Sequence, residues 1–270
     1  MKAGLFDSHA HYFDRRFDEI GGGDKVLTEE VFSGDVAYVI NVGTNDVTNR
    51  LCIEQAKKYE GMYVAVGIHP EDVRGCENTL AAELDKLSLL IGDREDQKKN
   101  KIVALGEIGL DYHYEGYNKA LQGECFDAQM CMAKEKKLPV IIHDREAHGD
   151  CFEIVISHPD ITGVFHSYSG SAEMAKDLVR RGWYISFSGV ATFKNAPRVR
   201  EAIASVPLER ILIETDAPYL APHPFRGRIN NSALMKYTAA AVAEVKGVST
   251  EEIIEITCKN AINLFIKKKD

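Results

Sequence analysis

The sequence predicts a single (β/α)₈ barrel spanning residues 1–270, slightly distorted and extended by an additional C-terminal helix. Three observations predict it. Eight short β-branched or apolar runs alternate with longer stretches of helical period, the pattern of repeated βα units and a parallel sheet. The chain has 270 residues, 45% of them hydrophobic, close to the ~250 typical of one such barrel. Ligand-type residues end strands at both extremes of the chain, and only closure brings those together. An open doubly wound sheet is the alternative.

The predicted strands cover residues 4–11, 36–42, 63–68, 102–108, 139–143, 163–166, 183–188 and 211–215. Val140-Ile141-Ile142 and Ile211-Leu212-Ile213 lack polar alternation, as expected of strands covered on both faces. The connecting helices are predicted over 46–59, 79–90, 119–137, 147–157, 171–181 and 197–206. Asn45-Asp46, Ser171 with Glu173 inside, and Pro197 at a first helical turn mark helix starts. Two helices close the chain, 232–246 and 250–267, the latter with Thr250 as N-cap, acids in its first turn and lysines at its end. Gly21-Gly22-Gly23 reads as a mobile loop and 93–101 as a charged, solvent-facing connection.

Lys plus Arg total 33 against 41 Asp plus Glu, a net charge of −8, which repels polyanions at long range unless local positive charge intervenes. The six cysteines, Cys52, Cys76, Cys125, Cys131, Cys151 and Cys258, form no C-x-x-C pair. With no secretory leader and no apolar run near the ~20 residues of a membrane helix, the expectation is a cytoplasmic protein with reduced thiols, away from membranes.

Asp7, His9 and His11 alternate along the first strand, so all three point to one face, the interior of a barrel. Four more strands end in Glu107, His143, His166 and Asp216, on the face where barrel enzymes place their chemistry. Such groups on apolar strands need counter-charges or cations. Four histidines and two carboxylates around two divalent ions meet that need. Imidazole suits zinc, manganese or iron, and the carboxylates leave magnesium possible.

Two ions ~3.5–4 Å apart can activate water and stabilise both oxygens of an in-line displacement. Asp216 is the candidate general base, with ligation alone as the competing role. Glu214 and Asp7, each two residues before a ligand, are placed to hydrogen-bond ligating imidazoles, with ordinary buried hydrogen bonding as the competing reading. Arg145, Arg226 and Arg228 lie on loops where barrels bind phosphate. Tyr112, Tyr168 and Phe193 offer stacking faces to bases, although packing is the commoner role of such aromatics. His113, His148, His158 and His223 are expected to be structural.

Phe6-Asp7-Ser8-His9-Ala10-His11, Gly67-Ile68-His69-Pro70, Gly106-Glu107-Ile108-Gly109-Leu110-Asp111-Tyr112, His143-Asp144-Arg145, His166-Ser167-Tyr168-Ser169-Gly170 and Glu214-Thr215-Asp216-Ala217-Pro218 resemble the motifs of the TatD-type metal-dependent deoxyribonucleases, within the amidohydrolase-like barrels. The matches run in order from residue 6 to Arg226-Gly227-Arg228. The resemblance implies that His9, His11 and Asp216 hold one ion, His143 and His166 the other, that Glu107 bridges them, and that His69 stands near the scissile group. It also implies DNA as substrate, with no obligate protein partner; a barrel mouth with a narrow ring of ligands admits an exposed strand end more readily than a duplex interior, which points to trimming from single-stranded or frayed ends. The loop 222–231 departs from the pattern, where relatives more often carry a second basic residue and an Asn-Glu-Pro ending. Hydrolysis of a small amide, lactone or ester is the alternative within enzymes, and a non-catalytic metal-binding barrel the alternative outside them. Glu107, with no lysine nearby on its strand, favours the phosphoesterase branch over members bridged by a carbamylated lysine.

Overall fold

A computed structural model describes residues 4–267. Eight strands, β1 (Leu5–Ala10), β2 (Val36–Val42), β3 (Met62–Val66), β4 (Ile102–Asp111), β5 (Val140–Arg145), β6 (Gly163–Phe165), β7 (Tyr184–Phe187) and β8 (Ile211–Ile213), form one parallel sheet in sequential order. Ala10 at the end of β1 bridges in parallel to Ala217, just beyond β8. The fold is therefore the (β/α)₈ barrel expected from the alternation. Between and after the strands run α1 (Gly23–Val26), α2 (Asp46–Ala56), α3 (Leu80–Ile91), α4 (Arg94–Lys99), α5 (Lys119–Lys136), α6 (His148–Ser157), α7 (Ala172–Arg180), α8 (Pro197–Ser205), α9 (Met235–Lys246) and α10 (Thr250–Ala261).

Several boundaries differ from expectation for identifiable reasons. β4 runs to Asp111 because its last residues stay paired with β5, Asp111 opposite Arg145. β6 and β8 stop before the polar residues that follow them. Ser167 and Asp216, at φ +39° and +56°, occupy the left-handed region, which no extended ladder accommodates. The three glycines at 21–23 make a junction between helical turns instead of a mobile loop: Gly21, at φ +101°, caps the 3₁₀ turn Arg15–Ile20, and Gly23 opens α1. Residues 93–101 carry α4 in place of an open connection, since the Asp93 carboxylate accepts from the amides of Glu95 and Asp96 and completes a capping box with Asp96. Gln97 of that helix is buried and donates to the Lys136 carbonyl. α10 is capped by Ser249, one residue before the expected Thr250, and a π turn at Ile262–Ile266 follows it. Of the lysines expected at its end, Lys268 and Lys269 lie outside the described residues.

By internal contacts the chain divides into two compact units. Among the described residues, the first comprises residues 4–41, 59–62 and 166–267. In it β1 pairs with β2, Asp7 opposite Val39, and β7 pairs with β8, Ile185 opposite Ile211. Phe6 points away from the ligand-bearing face, with its ring 5.3 Å from Tyr38 and 6.4 Å from Phe265. The C-terminal helical segment is thereby anchored to β1. Trp183 and Phe187 are fully buried, each side chain contributing about 1.5–3 kcal/mol of transfer free energy.

The second unit comprises residues 42–58 and 63–165. Leu105, Phe126, Met130, Val140, Ile141 and Ile142 are buried at its centre. Three amide side chains pin the ends of its strands. Asn49 donates to the Gly67 carbonyl at 3.0 Å and accepts from its amide. Gln129 makes the same double bond to Ile68, and Gln122 to Asp111, at 2.8–3.0 Å. Gln122 and Gln129 lie seven residues apart and so on one face of α5. Gly109 adjoins β5 at φ +142°, where a Cβ would stand 1.9 Å from the His143 carbonyl oxygen. Only glycine lets β4 pass there.

Candidate metal centre

In the first unit, the inward-facing side chains at the end of β1 meet those that follow β6 and β8. The Nε2 atoms of His9 and His11 are 3.1 Å apart, and Asp216 Oδ1 lies 3.3 Å from the His11 nitrogen and 3.8 Å from that of His9. Donors bound at ~2.0–2.1 Å around one tetrahedral ion stand about 3.3 Å from each other, so this spacing fits a single cation. The His166 ring stacks on His9 at 4.0 Å and 13°. Glu214 Oε1 lies 3.2 Å from His166 Nδ1 and accepts from the Ser167 amide at 2.8 Å. Its second oxygen, Glu214 Oε2, is buried without a hydrogen-bond partner among the described residues. A buried orphan acceptor beside the imidazoles of His9 and His166 matches a site built for positive charge.

Burial pushes the Asp216 carboxyl upward, but the His11 hydrogen bond and the nearby charges of His9, His11 and His166 outweigh it and hold the group below the usual carboxylate range. Asp216 is therefore anionic at neutral pH. Asp7 follows the second of its two readings, ordinary buried hydrogen bonding. It does not meet the His9 imidazole; Oδ1 accepts from the backbone amides of His9 and Thr215, and Oδ2 from the hydroxyls of Thr215 and Ser232. Burial, partly offset by those bonds, pushes its pKa up to about 7.

In the second unit His143 is held by two carboxylates, Nδ1 at 2.6 Å from Glu107 Oε1 and Nε2 at 2.9 Å from Asp111 Oδ2. His69 Nε2 lies 3.7 Å from Glu107 Oε1, and its ring meets His143 edge-on at 4.4 Å. The donor atoms of His69, Glu107 and His143 all lie within 4.8 Å of one another. Asp111 is the site residue that the strand-end reading missed. Its signal was the period of two from Glu107 through Gly109, visible once β4 is allowed ten residues.

The remaining candidates fall into place more simply. Arg145, at the end of β5, lies over the Tyr114 ring at 5.0 Å. Arg226 lies over Phe193 at 4.1 Å and Arg228 over Phe225 at 5.8 Å; both arginines are exposed. Arg226 covers one face of the half-buried Phe193, and Tyr168 is buried with its hydroxyl bonded to the Ser171 carbonyl, so Tyr168 presents no free stacking face. His113, His148 and His158 pair with Glu146, Asp144 and Asp127, as structural histidines do. All six cysteines are free thiols.

The profile of the family described as TatD related DNase matches residues 6–266. The chain belongs to this family. Among its relatives, the uncharacterized metal-dependent hydrolase YabD of Bacillus subtilis (strain 168) is 37% identical over 263 residues, covering 97% of this chain and 98% of that one. YcfH of Escherichia coli (strain K12), also an uncharacterized metal-dependent hydrolase, is 34% identical, covering 97% and 95%. The crystal structure of YjjV, a TatD homologue from Escherichia coli K12, superposes with a TM-score of 0.87 at 27% identity, covering 98% of both chains. This TatD-family member is a metal-dependent hydrolase, and its buried histidine and carboxylate clusters are able to bind metal. No helix among the described residues is long and apolar enough to cross a membrane.

Since imidazole must be unprotonated to ligate, activity of this TatD-family hydrolase is expected to fall below about pH 6. The acid limb should move to lower pH as cation concentration rises. A limb that stays put across a wide range of cation concentration would mean that competition at the imidazoles is not its cause.

Proposed function

We propose that this hydrolase cleaves DNA phosphodiesters in the cytoplasm, trimming nucleotides from single-stranded or frayed ends, with RNA a poorer substrate. The reading rests chiefly on the family match along residues 6–266, joined to a chain in which all six ligand-type positions are competent donors. His9, His11, Asp216, His143, His166 and Glu107 would hold two divalent cations, zinc, magnesium or manganese, with Glu107 as the shared ligand. Bound cations supply an activated water and stabilise charge on the entering and leaving oxygens.

The chain's own groups supply the rest. Asp216, anionic at neutral pH, can accept the proton of the attacking water. The Glu71 amide donates to His69 Nδ1, so the neutral ring carries its proton on Nε2, a donor suited to a phosphate oxygen rather than a metal ligand. Arg145, Arg226 and Arg228 can hold non-bridging oxygens with their planar forks. They also raise local positive potential against the net charge of −8.

Two measurements test this. Titration of chelated protein is expected to saturate at two cations per chain, and a plateau at one or none would falsify the two-ion site. End-labelled single strands incubated with magnesium, manganese or zinc are expected to shorten from one end, with steep inhibition by salt. A circular single strand cut as fast as a linear one would remove the end-directed reading. Turnover of a small ester, abolished by His143→Ala, with no cleavage of any DNA would put the small-substrate alternative in its place.

A further inference from the structure

Among the described residues, six large hydrophobic side chains are exposed, and the only aromatic ones, Tyr114 at 51% and Tyr117 at 44%, share one short loop. That loop, residues 112–118, leaves β4 directly after Asp111, the carboxylate that holds His143. Exposed tyrosines are common, but these two are held in place. Tyr117 stacks on Tyr112 at 4.7 Å and 15°. Tyr112 is fixed in turn by its hydroxyl bond to Asp150, at 2.8 Å, and by the Lys119 ammonium over its ring. Tyr114 is held by the Arg145 guanidinium, which lies over its ring and donates to its hydroxyl at 3.3 Å, and by the edge of His113 at 4.9 Å. Arg145 stands two residues beyond His143 on β5, so one arginine links the exposed ring to the ligand cluster.

Of the acidic side chains near the loop, Glu146 pairs with His113, and Asp150 with Lys119 and Tyr112, while Glu115, between the two tyrosines, is exposed. A cation seated against an exposed aromatic ring suits a ligand that presents both a phosphate and a flat apolar face. Rings fixed before the ligand arrives have less rotamer freedom to lose on stacking.

We propose that Tyr114, with Arg145 over its ring, and Tyr117, stacked on Tyr112, form a stacking platform for a nucleobase of the strand being cut. This rests on the DNA reading above. It assigns the loop a role the sequence suggested for Tyr112, Tyr168 and Phe193: Tyr112 supports the platform from beneath, and the two exposed rings provide the face. Because every base has a π-face, the platform favours single-stranded over stacked duplex ends without selecting a base.

The test uses the metal-reconstituted full chain and single-stranded oligonucleotides carrying an abasic residue at each of the three terminal positions in turn. For wild type, kcat/KM is expected to fall roughly 5- to 150-fold at one of those positions relative to the intact strand. The double variant Tyr114→Ala/Tyr117→Ala should lose a similar factor on the intact strand, mainly in KM, and should no longer distinguish intact from abasic. Tyr114→Phe/Tyr117→Phe should restore the discrimination, which a merely structural role of the hydroxyls would not allow. If wild type cuts intact and abasic strands alike, or the alanine variant keeps the wild-type ratio, the platform is wrong and the DNA reading stands. If wild type cuts no oligonucleotide, both fall together.

Discussion

Replacing Glu107 by alanine is expected to lower kcat about 1,000-fold, equivalent to ~4 kcal/mol. Glu107 is 3% exposed and its Oε1 lies 2.6 Å from His143 and 3.7 Å from His69. Removing it strips two imidazoles of their nearest counter-charge in a dry site and deletes the ligand proposed to serve both cations. Cation stoichiometry should drop with activity, while circular dichroism stays native. Glu107→Gln, which keeps the shape and loses the charge, should fare little better, and that result would separate electrostatics from packing. A contrast is provided by Asp7→Asn, which touches backbone amides and hydroxyls and should cost ~10–100-fold at most. Equal losses in the two variants would end the case for Glu107 as shared ligand.

Much of the candidate site was legible because a barrel exposes its chemistry at strand ends, and apolar strands make their polar last residues conspicuous. His9 and His11 follow from the period of two, and Glu107, His143, His166 and Asp216 from the break in an apolar run. Whatever depends on backbone direction beyond the strand was not legible. Glu214 meets an imidazole, as one of its two readings expected, but that the ring is His166 and that the same oxygen accepts from the Ser167 amide depend on how the chain leaves the ladder, through left-handed residues at Ser167 and Asp216. Asp111 was hidden by the expectation that β4 ends at residue 108, whereas it runs to Asp111. Asn49, Gln122 and Gln129 were invisible for a different reason. On a helix, a glutamine reads as a surface residue until the strand end it must satisfy is known, yet these three fix the backbone from Gly67 to Ile68 and at Asp111.

The same principle operates through a buried carboxyl group in the first unit. Asp7→Ala is expected to destabilise the protein by about 4 kcal/mol, roughly 10 °C in Tm. Asp7 has no exposed surface, and its four hydrogen bonds join the β1 backbone at His9 to Thr215 beyond β8 and to Ser232. Ser232 in turn bonds the Tyr12 hydroxyl, through its Oγ at 2.7 Å and its amide at 2.9 Å. Alanine leaves two amides and two hydroxyls facing an apolar void, each worth about 1–3 kcal/mol when unsatisfied, less whatever the hydroxyls recover by rotating toward each other. Asparagine keeps an acceptor for the amides and can donate to a hydroxyl oxygen, so Asp7→Asn should lose only about a third as much. Because His9 and Asp216 flank the two amides that Asp7 receives, the alanine variant should also bind its cation at the His9, His11 and Asp216 cluster more weakly, even at temperatures where it remains folded. Thermal unfolding of chelated protein measures the first effect and cation titration at low temperature the second. A Tm within about 2 °C of wild type, corresponding to less than ~1 kcal/mol, would show that water or neighbouring groups replace the carboxylate and that Asp7 does not join β1 to the segment after β8.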